Sequence, residues 1–535
     1  MSTVFRIAMA TLACVFGANA FAALGTSAAM DQRGQLWMAY AEQDGGTANV
    51  RIARFDAPSE KWLPSVLVNA TPEPVSSDGE NRPKLAFGPE NEIYVSWTSP
   101  TSAKYTGDIR FARSLDGGKT WQAPTTIHSD RQRIAHRFES LIVDRSDRLW
   151  ATWIDKRDLR RAEQSNSPYA GAAVYFAYSD DRGASWQGDF KLADNSCECC
   201  RIALALDARG QPAAMWRHVF EPNERDHAFA SLSPEGGTKP TRVTFDRWAI
   251  DACPHHGPSL AIANDGTRHA VWFTQRDGKG RAFYGQLGDP GPRNVRELPA
   301  GASHADIAVD SDSLAIAWKR FDGETTRVET WLSHDAGKSF VPGPVLRTAV
   351  ESDQPRVVAA RGRTYLLWRQ ADKTSVTLLE QRRLSTEATH APAATGVSSH
   401  VQAVRPFERK TLSAIEREHE GEPFWLILWD LECTYCVKSL RHAAEAQKRR
   451  PGLRIVTIAT DPVREGPALS KRLALLGLRG DAFAFANAPT EALSYAVDPT
   501  WAGEKPRAYR YDASGKRQSF SGVLSVEQLL EGGSD

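Results

Sequence analysis

Excess charge of either sign, cysteine and long apolar runs are what this chain has little of, and each shortage excludes something. Its 66 Lys and Arg nearly cancel its 65 Asp and Glu, leaving a formal net charge of +1. A nucleic-acid partner would favour a concentrated basic face, so none is expected, and neither is polybasic attachment to a membrane surface. Beyond the N-terminus no stretch reaches the roughly 18–20 uninterrupted apolar residues that cross a bilayer, so no membrane span is expected. There are 7 cysteines in 535 residues. A chain of this length is too long for a single core, which predicts two or more domains.

The one marked apolar run stands at the start. Arg6 precedes Ile7 to Ala22, and Ala18-Asn19-Ala20 or Ala20-Phe21-Ala22 would suit signal peptidase. Residues 1–22 therefore read as a signal peptide, and the mature protein is expected to be periplasmic or secreted. Thr11-Leu12-Ala13-Cys14 is a poor lipoprotein box, with Thr11 where Leu is needed. Removal of Cys14 leaves Cys197, Cys199, Cys200, Cys253, Cys433 and Cys436, an even number that permits disulfides in an exported chain.

An apolar strand, a short turn and a second strand ending in an aromatic residue recur along the chain. Leu85-Ala86-Phe87 leads to Trp97, Leu141-Ile142-Val143 to Trp153, Leu204-Ala205-Leu206 to Trp216, and Leu260-Ala261-Ile262 to Trp272. Weaker copies end at Trp318 and Trp368, and a first copy ends at Tyr40. A spacing of about 45–65 residues with β-type alternation predicts four-stranded propeller blades, seven by this count or six plus a remnant. Three copies carry a further pattern: Ser114-Leu115-Asp116-Gly117-Gly118-Lys119-Thr120-Trp121, Ser179 to Trp186, and Ser333 to Phe340. In each the Asp can accept backbone N–H bonds within a tight turn that Gly relaxes, and the aromatic plugs the turn onto the blade.

The pattern Ser-x-Asp-x-Gly-x-x-aromatic resembles the Asp box of sialidase-type (BNR) repeats, over residues 23–386. The resemblance implies an all-β propeller. The enzymatic part of that family is not matched: no Phe-Arg-Ile-Pro-like segment stands near the mature N-terminus, and Arg82, Arg137 and Glu139 are common residue types in a chain this charged.

Aligning the copies on their tryptophans puts Cys199 level with His136 and His255, and Cys200 level with Arg137 and His256. Cys197 and Cys253 fall two residues earlier, and His304 nearby. All precede the innermost strand of a blade, so they are expected to converge on one end of the central channel. Disulfide bracing of adjacent blades, joining Cys253 to one of the other three, is one reading. A Cu or Zn site made of Cys197, Cys199, Cys200, Cys253, His255 and His256 is another, although Cys197-Glu198-Cys199-Cys200 matches no established zinc spacing. In a third, one disulfide forms and two free thiols serve as redox partner to the second domain. No cofactor is required by the first or third.

Residues 387–404 read as a linker rich in Ala, Thr, Ser and His. After it the pattern changes. Strands are expected at Phe424 to Leu431, Leu453 to Thr460 and Asp481 to Asn487, helices at Cys433 to Lys448 and Pro467 to Leu476, then a hairpin about Ala513-Ser514-Gly515-Lys516 and a closing helix. This order over 405–535, with Cys433-Thr434-Tyr435-Cys436 where a strand passes into a helix, resembles a thioredoxin-like α/β domain. The resemblance implies that Cys433 attacks, Cys436 resolves the mixed disulfide, and Pro506 is a cis-proline at the substrate edge. The chain departs from thioredoxins at Glu432, at Ile427 where many bury an acid, and at Arg441 where a helix proline is usual.

The combined expectation is a multidomain, exported thiol–disulfide oxidoreductase, with the propeller as docking platform and with protein thiols or disulfides and an extracytoplasmic redox partner as its contacts. A metal-handling protein and a sialidase-like glycoside hydrolase are the alternatives.

Overall fold

The structure, a computed structural model, describes residues 21–381 and 404–531 apart from residues 45, 78, 103, 104 and 432. The expected signal peptide up to residue 20, nearly all of the expected 387–404 linker and Glu432 lie outside the described residues.

Seven antiparallel sheets follow one another along the chain, each made of strands in sequence order. Their first strands are Phe21–Met30, Lys84–Phe87, His136–Val143, Ala203–Leu206, Ser259–Ile262, Ser303–Asp310 and Arg356–Ala360. Each first strand touches the first strand of the next sheet, and the seventh touches the first. That closed ring makes a seven-bladed propeller with these strands innermost. Closure is held by side chains as well: Thr26 N–H and Arg82 both donate to Asp353 Oδ2 at 2.8 Å, tying blades one and two to blade seven.

The repeating aromatic sits on the second strand of every blade. Trp97, Trp153, Trp216, Trp272, Trp318 and Trp368 are buried, while Tyr40 is half-buried beneath the Arg369 guanidinium. Each indole fills the space between two blades, and truncating such a side chain generally costs about 3–5 kcal/mol. Four of the six find a partner for the ring N–H, among them Glu73 for Trp97 and Asp246 for Trp272.

The Asp boxes form the expected turns. Asp116, Asp181 and Asp335 each accept the N–H of the residue four positions on, at 2.9 Å, and the box serine accepts the glycine N–H. Gly183 and Gly337 adopt φ of 80° and 79°, and a Cβ there would fall 2.6 Å from the Phe111 ring and 1.9 Å from Tyr284 Oη. Glycine is required twice over, for the backbone and for the space. The box aromatic reaches across to the preceding blade, Trp186 onto Phe111 and Phe340 onto Tyr284, so these turns couple neighbouring blades.

The remaining described chain is an α/β domain with a six-stranded sheet. The strand order is Val404–Phe407, Ala482–Phe485, Ile455–Pro462, Phe424–Trp429, Arg507–Tyr511, Arg517–Ser521. The first four are parallel and the last two antiparallel. Phe424–Trp429 is buried at every residue, as a strand covered on both faces must be. Trp425, Ile427 and Trp429 face one core, and Phe424, Leu426 and Leu428 the other. The strand Val404–Phe407 begins on the last residue of the expected linker, and the helices Thr411–Glu418 and Thr490–Val497 were not expected. Neither was Arg157–Ser165, the helix inserted in blade three.

The α/β domain packs on the propeller beside blades four to seven. Tyr435 Oη accepts from Arg225 at 2.8 Å, His256 Nε2 meets the Ala502 carbonyl at 2.9 Å, and Thr490 N–H donates to Glu351 at 2.7 Å. Lys319 pairs with Glu491. Among the described residues no helix is long and apolar enough to cross a membrane.

Candidate functional site

The strand Phe424–Trp429 delivers the chain to Asp430, and the helix Thr434–Arg449 starts four residues later. Cys433 is the helix N-cap, extended at φ −79°, ψ 107°, and its sulfur accepts the Cys436 N–H at 3.0 Å. The two cysteines form a disulfide and are 1 % and 0 % exposed. A sulfur in this place receives both the unpaired N–H groups of the first turn and the positive end of the helix dipole, which favour a thiolate on Cys433 once the disulfide is reduced.

Ionisable groups surround this pair that the sequence reading overlooked. Asp430 accepts the Cys433 N–H at 2.7 Å and pairs with Lys505 at 2.5 Å. Burial opposes its charge, but Lys505, His255 and the Cys433 N–H outweigh burial and hold the carboxyl below its usual range. Asp461, which accepts the Leu431 N–H, is pushed up to about 7 by burial and then by the Asp430 charge. An acid near neutrality beside the disulfide therefore comes from Asp461. Ile427, at the position where thioredoxins often bury an acid, is simply core. The signal for Asp430 was its place three residues before Cys433. Asp461 carried none, since it reaches the site only through the neighbouring parallel strand.

The Lys505–Pro506 peptide is cis, and the Lys505 carbonyl lies 3.5 Å from Cys433 Sγ. The same residue is hydrogen-bonded to the propeller: Cys253 N–H donates to Lys505 O at 2.8 Å, and Lys505 N–H to Cys253 O at 3.3 Å.

The four propeller cysteines are buried free thiols. The expected disulfide from Cys253 to another of them is thus replaced by a thiol cluster, in which Cys253 is fixed by its backbone bonds to Lys505 and the others bond around Cys197. Cys197 Sγ lies 3.8 Å from Cys199 Sγ and 3.2 Å from Cys200 Sγ. Hydrogen bonds from Cys199 and then Cys200 draw the Cys197 thiol well below its ordinary pKa against the effect of burial, and Arg225 and Arg217 add to this. Cys199 is raised by the same bond, and Cys200 chiefly by burial. Cys199, Cys253 and His255 form a second group whose ligand atoms lie within 4.8 Å of one another. Burial lowers His255 to about 4, leaving a neutral imidazole whose Nε2 makes no hydrogen bond among the described residues and lies 3.9 Å from Asp430 Oδ2.

These are soft donors in two three-membered sets that share Cys199, which fits Cu(I) or Zn(II) chemically. His256 belongs to neither set; its ring stacks on Phe273 and His304 and its Nε2 is taken by Ala502. His136, level with Cys199 by repeat alignment, instead joins His128 and Asp108. All six described cysteines fall in one continuous buried cluster that runs from blades three and four into the α/β domain. Pro506 is beside it, one residue beyond Lys505.

Arg82, Arg137 and Glu139 are buried in the propeller. Arg82 pairs with Asp353, Glu139 accepts from Thr98, and Arg137 lies over the Phe138 ring.

No family model and no curated protein matches the chain. Among solved structures, an ulvan lyase bound to its saccharide is 10 % identical over 68 % of this chain and 95 % of its own, with a TM-score of 0.44. An α-L-arabinanase of Penicillium chrysogenum with arabinobiose is 14 % identical over 55 % of this chain and 88 % of its own, at 0.38. The NanB sialidase of Streptococcus pneumoniae is 10 % identical over 61 % of this chain and 68 % of its own, at 0.37. Likeness this distant bears on no chemistry, and the propeller is assigned from its own seven closed sheets.

Proposed function

We propose that the chain is an exported thiol–disulfide oxidoreductase. Its α/β domain is thioredoxin-like, Cys433 is the attacking thiol, Cys436 resolves the mixed disulfide, and Pro506 borders the substrate edge. The propeller serves as the docking platform, and the contacts are protein thiols or disulfides and an extracytoplasmic redox partner. The observation that carries this reading is the Cys433–Cys436 disulfide at a helix N-terminus, with Asp430, Lys505 and the near-neutral Asp461 beside it. A general acid or base near pH 7 is what proton transfer to and from a thiolate needs. The expected result is that Cys433→Ser abolishes insulin-disulfide reduction by the reduced protein. Full activity in that variant would sink the reading.

Two other readings each have an observation behind them. A sialidase-like glycoside hydrolase is favoured by the buried Arg82, on which Asp353, Arg356, Arg201 and Glu80 all act. Turnover of a fluorogenic sialoside, lost with Arg82→Ala, would move the function there. A metal-handling protein is favoured by the two donor sets sharing Cys199. Copper or zinc retained through purification without an affinity tag would support it.

A further inference from the structure

The disulfide of the α/β domain and the free thiols of the propeller belong to one buried cluster, and Lys505 joins Cys433 to Cys253. The Lys505 carbonyl lies 3.5 Å from Cys433 Sγ and accepts the Cys253 N–H at 2.8 Å. The reciprocal bond from Lys505 N–H to Cys253 O makes this a two-bond antiparallel bridge. Cys253 is therefore presented to Cys433 as an added strand residue would be, with its backbone fixed in place. Behind it the sulfurs continue, Cys253 to Cys199 within 4.8 Å and Cys199 to Cys197 at 3.8 Å.

We propose that Cys253 is the built-in exchange partner of Cys433, so that the propeller thiols are an internal substrate of the Cys433–Cys436 pair. This rests on the oxidoreductase reading and names one substrate of it. The Cys253 thiolate attacks Cys433 Sγ. The Cys433–Cys436 bond breaks, Cys436 leaves as a thiolate and takes a proton, and a Cys253–Cys433 disulfide forms. The Cys199 thiolate then attacks Cys253 Sγ and releases Cys433 as a thiolate. Two electrons pass from the propeller dithiol to the Cys433–Cys436 pair, the propeller gains a Cys199–Cys253 disulfide, and no outside oxidant takes part. With the α/β pair reduced the same steps run backwards.

The test removes both resolving sulfurs. In the Cys199→Ser/Cys436→Ser double variant of the full chain, mild diamide oxidation followed by acid quench, denaturing alkylation and non-reducing peptide mapping should find the Cys253 and Cys433 peptides joined. The joined species should be independent of protein concentration. Adding Cys253→Ser should lower the yield of any Cys433-linked propeller peptide about tenfold or more, as loss of an intramolecular partner does. Cys433 linked elsewhere, or to nothing, in a double variant that keeps wild-type circular dichroism would overturn the proposal. A stopped-flow exchange in the wild-type chain that depends on protein concentration would do the same without any variant. Propeller thiols that resist alkylation until metal is stripped would overturn it in favour of the metal reading. Insulin reduction by the wild-type Cys433–Cys436 pair is scored separately. Its absence would defeat the oxidoreductase reading itself, whereas its presence without the internal disulfide would defeat only the internal substrate.

Discussion

Two clusters in the propeller bring potential ligand atoms within 4.8 Å of one another, one of thiols about Cys199 and one made of Asp108, His128 and His136. Both offer donors enough for a metal ion, five in the first and three in the second. They differ in what the lone pairs and protons are already doing. His128 Nε2 accepts the Ile109 N–H at 3.1 Å, and Nδ1 sits 2.6 Å from the Asp130 carbonyl, so both nitrogens are committed to backbone. His136 Nδ1 faces the Gly107 carbonyl at 3.1 Å, its Nε2 makes no hydrogen bond among the described residues but faces the Asp130 and Asp155 carboxylates at 3.6 and 3.7 Å, and the two rings stack with centroids 3.8 Å apart. The thiols instead bond mainly to each other, and they adjoin a disulfide of another domain. Chemistry follows from uncommitted atoms next to a partner that can react with them, and a tally of ligand types does not reveal that.

The largest way to break the comparison is to remove a histidine. His128→Ala deletes a fully buried ring and leaves the Ile109 N–H and the Asp130 carbonyl unpaired, which should cost about 3 kcal/mol. Urea unfolding would measure it, with insulin reduction per folded molecule unchanged. Retained stability together with lost activity would reverse the assignment and make the histidines the working group.

The two regions should also fail at opposite ends of the pH scale. Burial, then the His136 charge, lowers His128 to about 3, below the ordinary 6.5. The native state therefore binds fewer protons than the unfolded chain between those values, and this contribution to stability is present above pH 6.5 and lost as pH falls. Asp461 is raised from 3.8 to about 7, so the native state binds more protons there. Its contribution is present below pH 3.8 and lost as pH rises to 7. Asp461→Asn should consequently stabilise the protein by on the order of a few kcal/mol at pH 8 and leave stability at pH 4 nearly unchanged. Urea midpoints at the two pH values would sharpen the comparison, and an equal shift at both would remove Asp461 from the proton inventory of the disulfide.

What was legible in the sequence follows the same division between local and long-range causes. The propeller could be read because strand alternation, an aromatic residue on each second strand and the Ser-Asp-Gly turn are all set within a few residues of one another. Cys433 and Cys436 could be placed at a strand-to-helix passage for the same reason. Helices Arg157–Ser165 and Thr411–Glu418 were not, as both start on a lysine without a side-chain cap. The meeting of Cys253 with Lys505 had no local signal either. It depends on docking two domains, and register between a loop before blade five and a loop before Arg507–Tyr511 is invisible to periodicity. Repeat alignment put Cys199 near His255 correctly, yet put His136 on the same level, because it counts residues along a blade and not the blades between.

The smallest effect addresses what sets the thiol side of the comparison. Arg225 is 1 % exposed; its Nη1 is 4.0 Å from Cys197 Sγ, its Nη2 donates to Tyr435 Oη, and its Nε donates to the Ile250 carbonyl. One guanidinium thus supports both a propeller thiolate and the helix that carries Cys436. Arg225→Gln removes the charge while keeping a donor, and should raise the Cys197 thiolate titration, so that less thiolate is present at a fixed pH. Ultraviolet thiolate absorbance across a pH series would read this without labelling. Arg225→Lys keeps the charge and loses the planar fork, so it should restore most of the titration while leaving the Tyr435 contact weakened. If the two variants shift equally, the fork and its hold on Tyr435 are what matter. If neither shifts, the hydrogen bonds from Cys199 and Cys200 alone keep Cys197 ionised, and the cluster needs nothing from outside its own sulfurs.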